Sequence, residues 1–305
     1  MKNLLTCLLA AVTISGYAQT SDQVLVKVKY NLRHHLDTAD KSEVYEQQML
    51  LATGKNASLF TSTLKIAQAQ RMLSMMNQGP SMSSAVGVSS TSASSSTRGA
   101  APTSVPSLPD YYYFFSTQKS FTREQLIKDY LVEEAIPKIN WQISNETKSL
   151  GSIHCQKATA RFKGRNWIAW YAPELPFQSG PWKLNGLPGL ILEAYDEKKE
   201  VQFSFAGIEK VMPNNLKPNE AVAFSASIPK EIRDQMIQME KYLGNNIILP
   251  DGMVKTDLKS IKRLKDAMEK DPEGFMKAHA QSGGNAPMMM NMAGSMTIGN
   301  AVKNP

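Results

Sequence analysis

Soft and titratable side chains are where this chain could do chemistry. Met288, Met289, Met290, Met292 and Met296 crowd one short stretch near the C-terminus, and His279 lies a short chain-length before them. Thioethers are soft ligands, so clustered methionines can hold Cu(I) in an oxidising compartment. Without a fixed geometry the same residues form a tail that absorbs oxidants or does nothing. His154 and Cys155 are adjacent. Cys155 is a reactive thiol, a soft ligand beside His154, or a small buried hydrophobe. On a strand the two side chains point to opposite faces, which argues against one ion held by both. His34 and His35 follow a strand pattern at its end, where a loop pair either helps to ligate a metal or is simply solvated. Ser62-Thr63-Leu64-Lys65 spells the S-x-x-K of serine acyl enzymes, but no K-T-G or S-D-N follows it, so it is set aside. H-E-x-x-H, P-loop, G-x-S-x-G, C-x-x-C and the dinucleotide glycine fingerprint are all missing.

The elements that must position these groups are mostly strands. Residues 23–32 place Val24, Val26, Val28, Tyr30 and Leu32 on one face and Lys27, Lys29 and Asn31 on the other, the pattern of a half-buried strand. A second strand is predicted over 43–52 and a short third over 57–60. Leu64, Ala67, Met72, Met75 and Met76 have helical spacing within 61–77. Residues 79–109 are dominated by Ser, Ala, Thr, Gly and Pro. So little bulky apolar surface cannot offset about 1–2 kcal/mol of backbone entropy per residue, which predicts a disordered insertion inside one domain. Tyr111-Tyr112-Tyr113-Phe114-Phe115 suits a strand covered on both faces, or a stacking platform for rings. Thr122-x-x-Gln125 is like a capping box, so 122–136 reads as helix or strand. Residues 152–162 and 165–172 read as a hairpin turning at Lys163-Gly164, and 191–195 with 201–205 as another. Trp167 and Trp170 fall on opposite faces. Helices are predicted over 229–243, over 256–269 with Thr256 as N-cap, and over 272–280.

With 34 Lys and Arg against 27 Asp and Glu, the chain carries a formal +7, but the charges are interspersed rather than clustered. That favours a mildly lysine-rich soluble protein over a nucleic-acid or lipid binder. Residues 1–18 have the form of a signal peptide: Lys2, an apolar run from Leu4 to Ile14, and a Gly16-Tyr17-Ala18 cleavage site. Cys7 opens that apolar run, too early for a lipidation site. An exported protein, periplasmic or extracellular and without a transmembrane segment, is the expectation, and Cys155 is then the sole cysteine of the mature chain.

One stretch, Gly180 to Ala194, organises the rest. It reads GPWKLNGLPGLILEA. Pro188-Gly189 suits the centre of a type II turn, and Leu190-Ile191-Leu192 suits a buried central strand. Gly186-Leu187-Pro188-Gly189-Leu190-Ile191 resembles the signature of the GLPGLI family, exported proteins of Bacteroidetes-type bacteria with no assigned activity. Trp141, Cys155, Trp167, Trp170, Pro176, Gly180, Pro181 and Trp182 are similar to that family's spaced landmarks. The resemblance covers about 125–210, implies structural roles for these residues, and favours a strand near 126–134.

These readings predict a mainly β (α+β) fold. It is a single domain over 19–281 whose antiparallel sheet is strongly curved or an open half-barrel, with the C-terminal helices packed on it. Residues 282–305 form a disordered Met-rich tail. The outline is similar to the concave half-barrels of bacterial envelope lipoprotein carriers. A non-enzymatic protein binding an apolar ligand or a protein partner on the sheet follows, with no cofactor. Copper handling by the tail is the alternative, and an uncharacterised hydrolase is the third reading.

Overall fold

The computed structural model describes residues 21–35, 44–77, 108–126, 128–211 and 244–281. The predicted signal peptide, nearly all of the 79–109 insertion, the 229–243 helix and the Met-rich tail lie outside the described residues.

In chain order the strands are β1 (Ser21–Gln23), β2 (Val26–His35), β3 (Val44–Thr53) and β4 (Ala57–Ser62), followed by helix α1 (Thr63–Asn77). Then come β5 (Asp110–Phe114), β6 (Lys119–Gln125), β7 (Asp129–Ala135), β8 (Gln142–Leu150), β9 (Ile153–Phe162) and β10 (Arg165–Ala172). After these are β11 (Leu190–Asp196), β12 (Val201–Lys210), β13 (Asn246–Ile248), β14 (Val254–Thr256), α2 (Leu258–Lys270) and α3 (Pro272–Gln281). Twelve strands form one sheet in the order β14-β7-β6-β5-β4-β3-β2-β12-β11-β10-β9-β8, while β1 and β13 pair separately. The sheet is β-rich as expected but mixed, because β14 runs parallel to β7.

Local sequence explains most of these elements. β2 buries Val26, Val28, Tyr30, Leu32 and His34 on one face and exposes Lys29, Asn31 and Arg33 on the other. The β9–β10 hairpin turns where predicted, with Lys163 at φ 48° and Gly164 at φ 81°, the two left-handed residues of a tight hairpin turn. The β4 register extends to Ser62, opposite Met49, so the helix begins two residues later than its periodicity suggests. Residues 122–136 are not a helix, and the strand implied near 126–134 is present as β7, from Asp129 to Ala135. They end β6 and form β7, because cross-strand pairing with β5 and with each other satisfies the backbone. The N-cap of helix α2 lies one residue beyond the predicted one. Thr256 is the last residue of β14, and Asp257 is the N-cap, accepting from Ser260 N.

Topology shows how far the sheet curls. β7 and β8 are consecutive in sequence yet ten strand spacings apart in the sheet. In a flat sheet that is about 48 Å. Residues 136–141 join them and reach at most about 25 Å. The sheet therefore rolls into an open barrel with a seam between the β14 edge and the β8 edge. The same curvature brings the rings of Phe60 on β4 and Phe203 on β12 to 5.9 Å across three spacings.

Two apolar clusters result, the larger extending from the inner face. The inner one includes Val28, Tyr30, Leu51, Phe60, Tyr111, Trp167 and Phe203. On the outer face Ala57, Leu59, Tyr112, Phe114, Phe121 and Leu131 pack with Val24, just after β1, and with Ile247 of β13. Tyr111 to Phe114 are all buried, with odd and even residues feeding opposite cores, so they act as core rather than as an open platform. Helix α2 buries Ile261 and Met268, and Lys265 reaches Glu124 of β6 at 2.9 Å.

Candidate functional site

Residues 173–189 leave the end of β10 and return at β11, and in between they fill the inner side of the barrel. Trp182, Leu184 and Leu187 are buried there. The Trp182 ring lies 5.7 Å from Trp167 and 5.8 Å from Phe162, and Tyr113 Oη donates to the Trp182 carbonyl at 3.3 Å. Trp182 sits at φ 54°, a region non-glycine residues seldom enter, so these contacts hold a strained backbone.

The tripeptide after it ties the seam. Lys183 Nζ meets Glu134 Oε2 on β7 at 2.7 Å, and Trp141 Nε1, one residue before β8, donates to the Asn185 carbonyl at 2.8 Å. Ser179 Oγ and Thr53 Oγ1 are 2.9 Å apart. The Pro188-Gly189 type II turn is corrected: Gly189 has no left-handed φ, whereas Gly186 has φ 87°. Gly189 is required for space instead, because a Cβ there would fall against the Ala172 carbonyl. Gly180 is confined in the same way by the Leu184 carbonyl and Ile191. Pro181 lies beside Trp182 and is buried, and its carbonyl accepts from Leu184 N. Leu190, Ile191 and Leu192 are fully buried in β11, with Tyr30 Oη donating to the Ile191 carbonyl at 2.5 Å.

A charged cleft lies at one end of the sheet, between the β9–β10 and β11–β12 turns. Its volume is about 350 Å³, and Lys163, Arg165, Asn166, Asp196, Glu197 and Glu200 help to line it. Arg165 Nη1 bridges Asp196 Oδ2 at 3.1 Å and Glu200 Oε2 at 2.7 Å, and both carboxylates are buried. Asp196 Oδ1 also accepts from Val201 N at 2.7 Å, closing the turn. His34 sits opposite Val201, buried, with Nδ1 lacking a hydrogen-bond partner among the described residues. Burial, then Arg165, lowers its pKa from 6.5 to about 4, so its ring is neutral at physiological pH. One guanidinium pinned between two carboxylates is a clamp on two turns. Sequence reading missed it because Arg165 and Glu200 meet only through strand pairing.

The other chemical candidates do not converge. His34 lies inside β2 rather than on a loop, because its strand continues through His35. His154 is exposed, 3.3 Å from Ser149, while Cys155 is buried on the other face, its thiol pushed up to about 11 by burial. Ser62 accepts from Gln47 Nε2 at 2.5 Å, whereas Lys65 turns to Asp110 at 2.9 Å, so the S-x-x-K residues do not pair. Trp167 and Trp170 are both buried, Trp167 in the inner core and Trp170 under the Lys148 ammonium at 4.5 Å. The side chain of His279 and the five tail methionines lie outside the described residues. Among the described residues no three His, Cys, Asp or Glu gather as a metal site, and no helix is long and apolar enough to cross a membrane.

No curated protein matches the chain. Two solved structures, described as "Structure of PNGF-II in P21 space group" and "Structure of PNGF-II in C2 space group", are similar at TM-score 0.47 and 10% identity. The match covers 79% of this chain and 32% of theirs, so the chain spans about a third of their length. Residues 162–193, from the end of β9 through the segment that fills the barrel into β11, are similar to a family described as "Protein of unknown function (Porph_ging)".

Proposed function

We propose that this is an exported, non-enzymatic envelope protein that binds a protein partner on its curved sheet. The observation that supports it is the occupancy of the inner face. Residues 173–189 fill the space an apolar ligand would need, with Trp182, Leu184 and Leu187 each at most 2% exposed. An apolar-ligand carrier needs an open apolar cavity; the cleft at the sheet's end is instead charged and its carboxylates are clamped. What the curled sheet still offers is its edges. Native mass spectrometry of the mature protein purified gently from its host's envelope tests this. A protein-sized adduct is expected. A lipid-sized adduct would move the apolar-ligand reading ahead, and a bare mass would remove both.

Copper handling is the second reading, supported by five methionines within Met288–Met296 and by His279 before them. Cu(I) competition titration of the full chain and of a version ending at Gln281 decides it. Equal affinities would sink it.

A further inference from the structure

Cleavage after Ala18, at the Gly16-Tyr17-Ala18 site, leaves Gln19 as the first residue of the exported chain. A glutamine side chain has the length to close a five-membered ring on its own α-amine. The amine nitrogen attacks the side-chain Cδ, the N–Cδ bond forms and the Cδ–Nε2 bond breaks. Nε2 leaves as ammonia with the proton that the amine gives up. The reaction is intramolecular and redox-neutral, and it needs no second molecule. It is open to Gln19 only once the leader is removed and the α-amine is free.

The folded structure begins to use the chain two residues later. β1 (Ser21–Gln23) runs antiparallel to β13, with Ser21 opposite Ile248. Asp22 Oδ2 accepts from Asn56 N at 2.6 Å and from Ala57 N at 2.8 Å, holding the β3–β4 turn. Gly54 of that turn lies against the Gln23 carbonyl and the Asp22 carboxylate, leaving no room for a Cβ. Val24 N donates to the Asn245 carbonyl at 2.8 Å, and Leu25 N donates to the Thr53 carbonyl at 2.9 Å. Residues 21–25 thus tie the β3–β4 turn to β13. Asp22 is only the fourth residue of the cleaved chain. An aminopeptidase that removes residues one at a time from a free α-amine reaches it after three cuts. A terminal strand ties down a chain end only while its residues remain.

We propose that Gln19 is a modification site: after leader cleavage it cyclises to pyroglutamate, and the ring, which has no free α-amine, shields the β1 anchor from aminopeptidases. This rests on the export reading above and adds the covalent state of the exported N-terminus.

The test is the intact mass of the protein purified from its host's envelope. Residues 19–305 less one ammonia are expected. Fragment spectra should place the loss at Gln19, and pyroglutamyl peptidase should expose Thr20 to sequencing. A loss placed at Asn185-Gly186 is a succinimide and overturns the proposal. So does an N-terminus other than residue 19, or residue 19 with its ammonia retained; each leaves export standing. A chain that keeps residues 1–18 defeats the export reading itself. Gln19→Asn, whose shorter side chain cannot close the ring, tests the shielding. Aminopeptidase is expected to shorten this variant at least about tenfold faster than wild type. Once Asp22 is removed, its melting temperature is expected to fall by at least about 2 °C. Asp22→Ala in the cyclised chain should show the same fall without digestion. Equal digestion of variant and wild type, or unchanged melting on loss of Asp22, overturns the shielding.

Discussion

Single residues carry two tests of how this barrel is held. His34 is surrounded by His35 on its own strand, Tyr45 across β3, Arg165, Asp196 and Glu200. Its folded pKa of about 4 lies below the usual 6.5. The unfolded chain therefore binds a proton over a range in which the folded chain does not. Stability should be flat in this contribution above pH 6.5 and fall as pH drops to 4, by up to about 3 kcal/mol. Urea unfolding across that range checks it, and His34→Gln should flatten the profile; an unchanged slope in that variant would place the titration elsewhere. Gly189→Ala tests the close approach to Ala172. Overpacking against a backbone carbonyl should cost about 1–3 kcal/mol, whereas Gly151→Ala, in open space at φ 61°, should cost only its backbone strain.

Among the elements, the 173–189 segment acts as the barrel's internal plug. Residue 182 touches both limbs of the curled sheet, its carbonyl accepting from Tyr113 on β5 and its indole packing on Trp167 of β10. Trp182→Ala should destabilise by about 3–5 kcal/mol and speed amide exchange in β5 and β10 together. Exchange rising in β10 alone would show that the Trp182 carbonyl, without its indole, still holds β5. Lys183→Met removes a partly buried ion pair with Glu134 at the seam. It leaves that carboxylate without its cation, and a loss of about 1–2 kcal/mol is expected in thermal unfolding.

At the scale of the whole molecule, the described residues form a twelve-stranded sheet, a small β1–β13 ribbon, α1 and the two helices ending at Gln281. A version ending at Gln281 should melt within about 1 °C of the full chain. A drop of several degrees would show the tail packing on the barrel. Opening the seam is the corresponding large-scale event, and Lys183 with Trp141 sets its resistance.

Alternation in β2, the Lys163-Gly164 turn, the aromatic run of β5 and the apolar Leu190-Ile191-Leu192 were legible in the chain because their causes are local. Side-chain period and left-handed turn residues act within a few positions. A mainly β, curved sheet followed from them. Other features depend on residues far apart in sequence. Residues 122–136 became two strands because neighbouring strands satisfied their backbone. Gly189 was needed for the Ala172 carbonyl rather than for its own φ. Arg165, Asp196, Glu200 and His34 met only once β10, β11, β12 and β2 were in register. The curl of the sheet exists only because a six-residue link joins nearly opposite ends of a twelve-stranded sheet. Local periodicity determined the strands; chain connectivity in three dimensions decided how they curl and what plugs them.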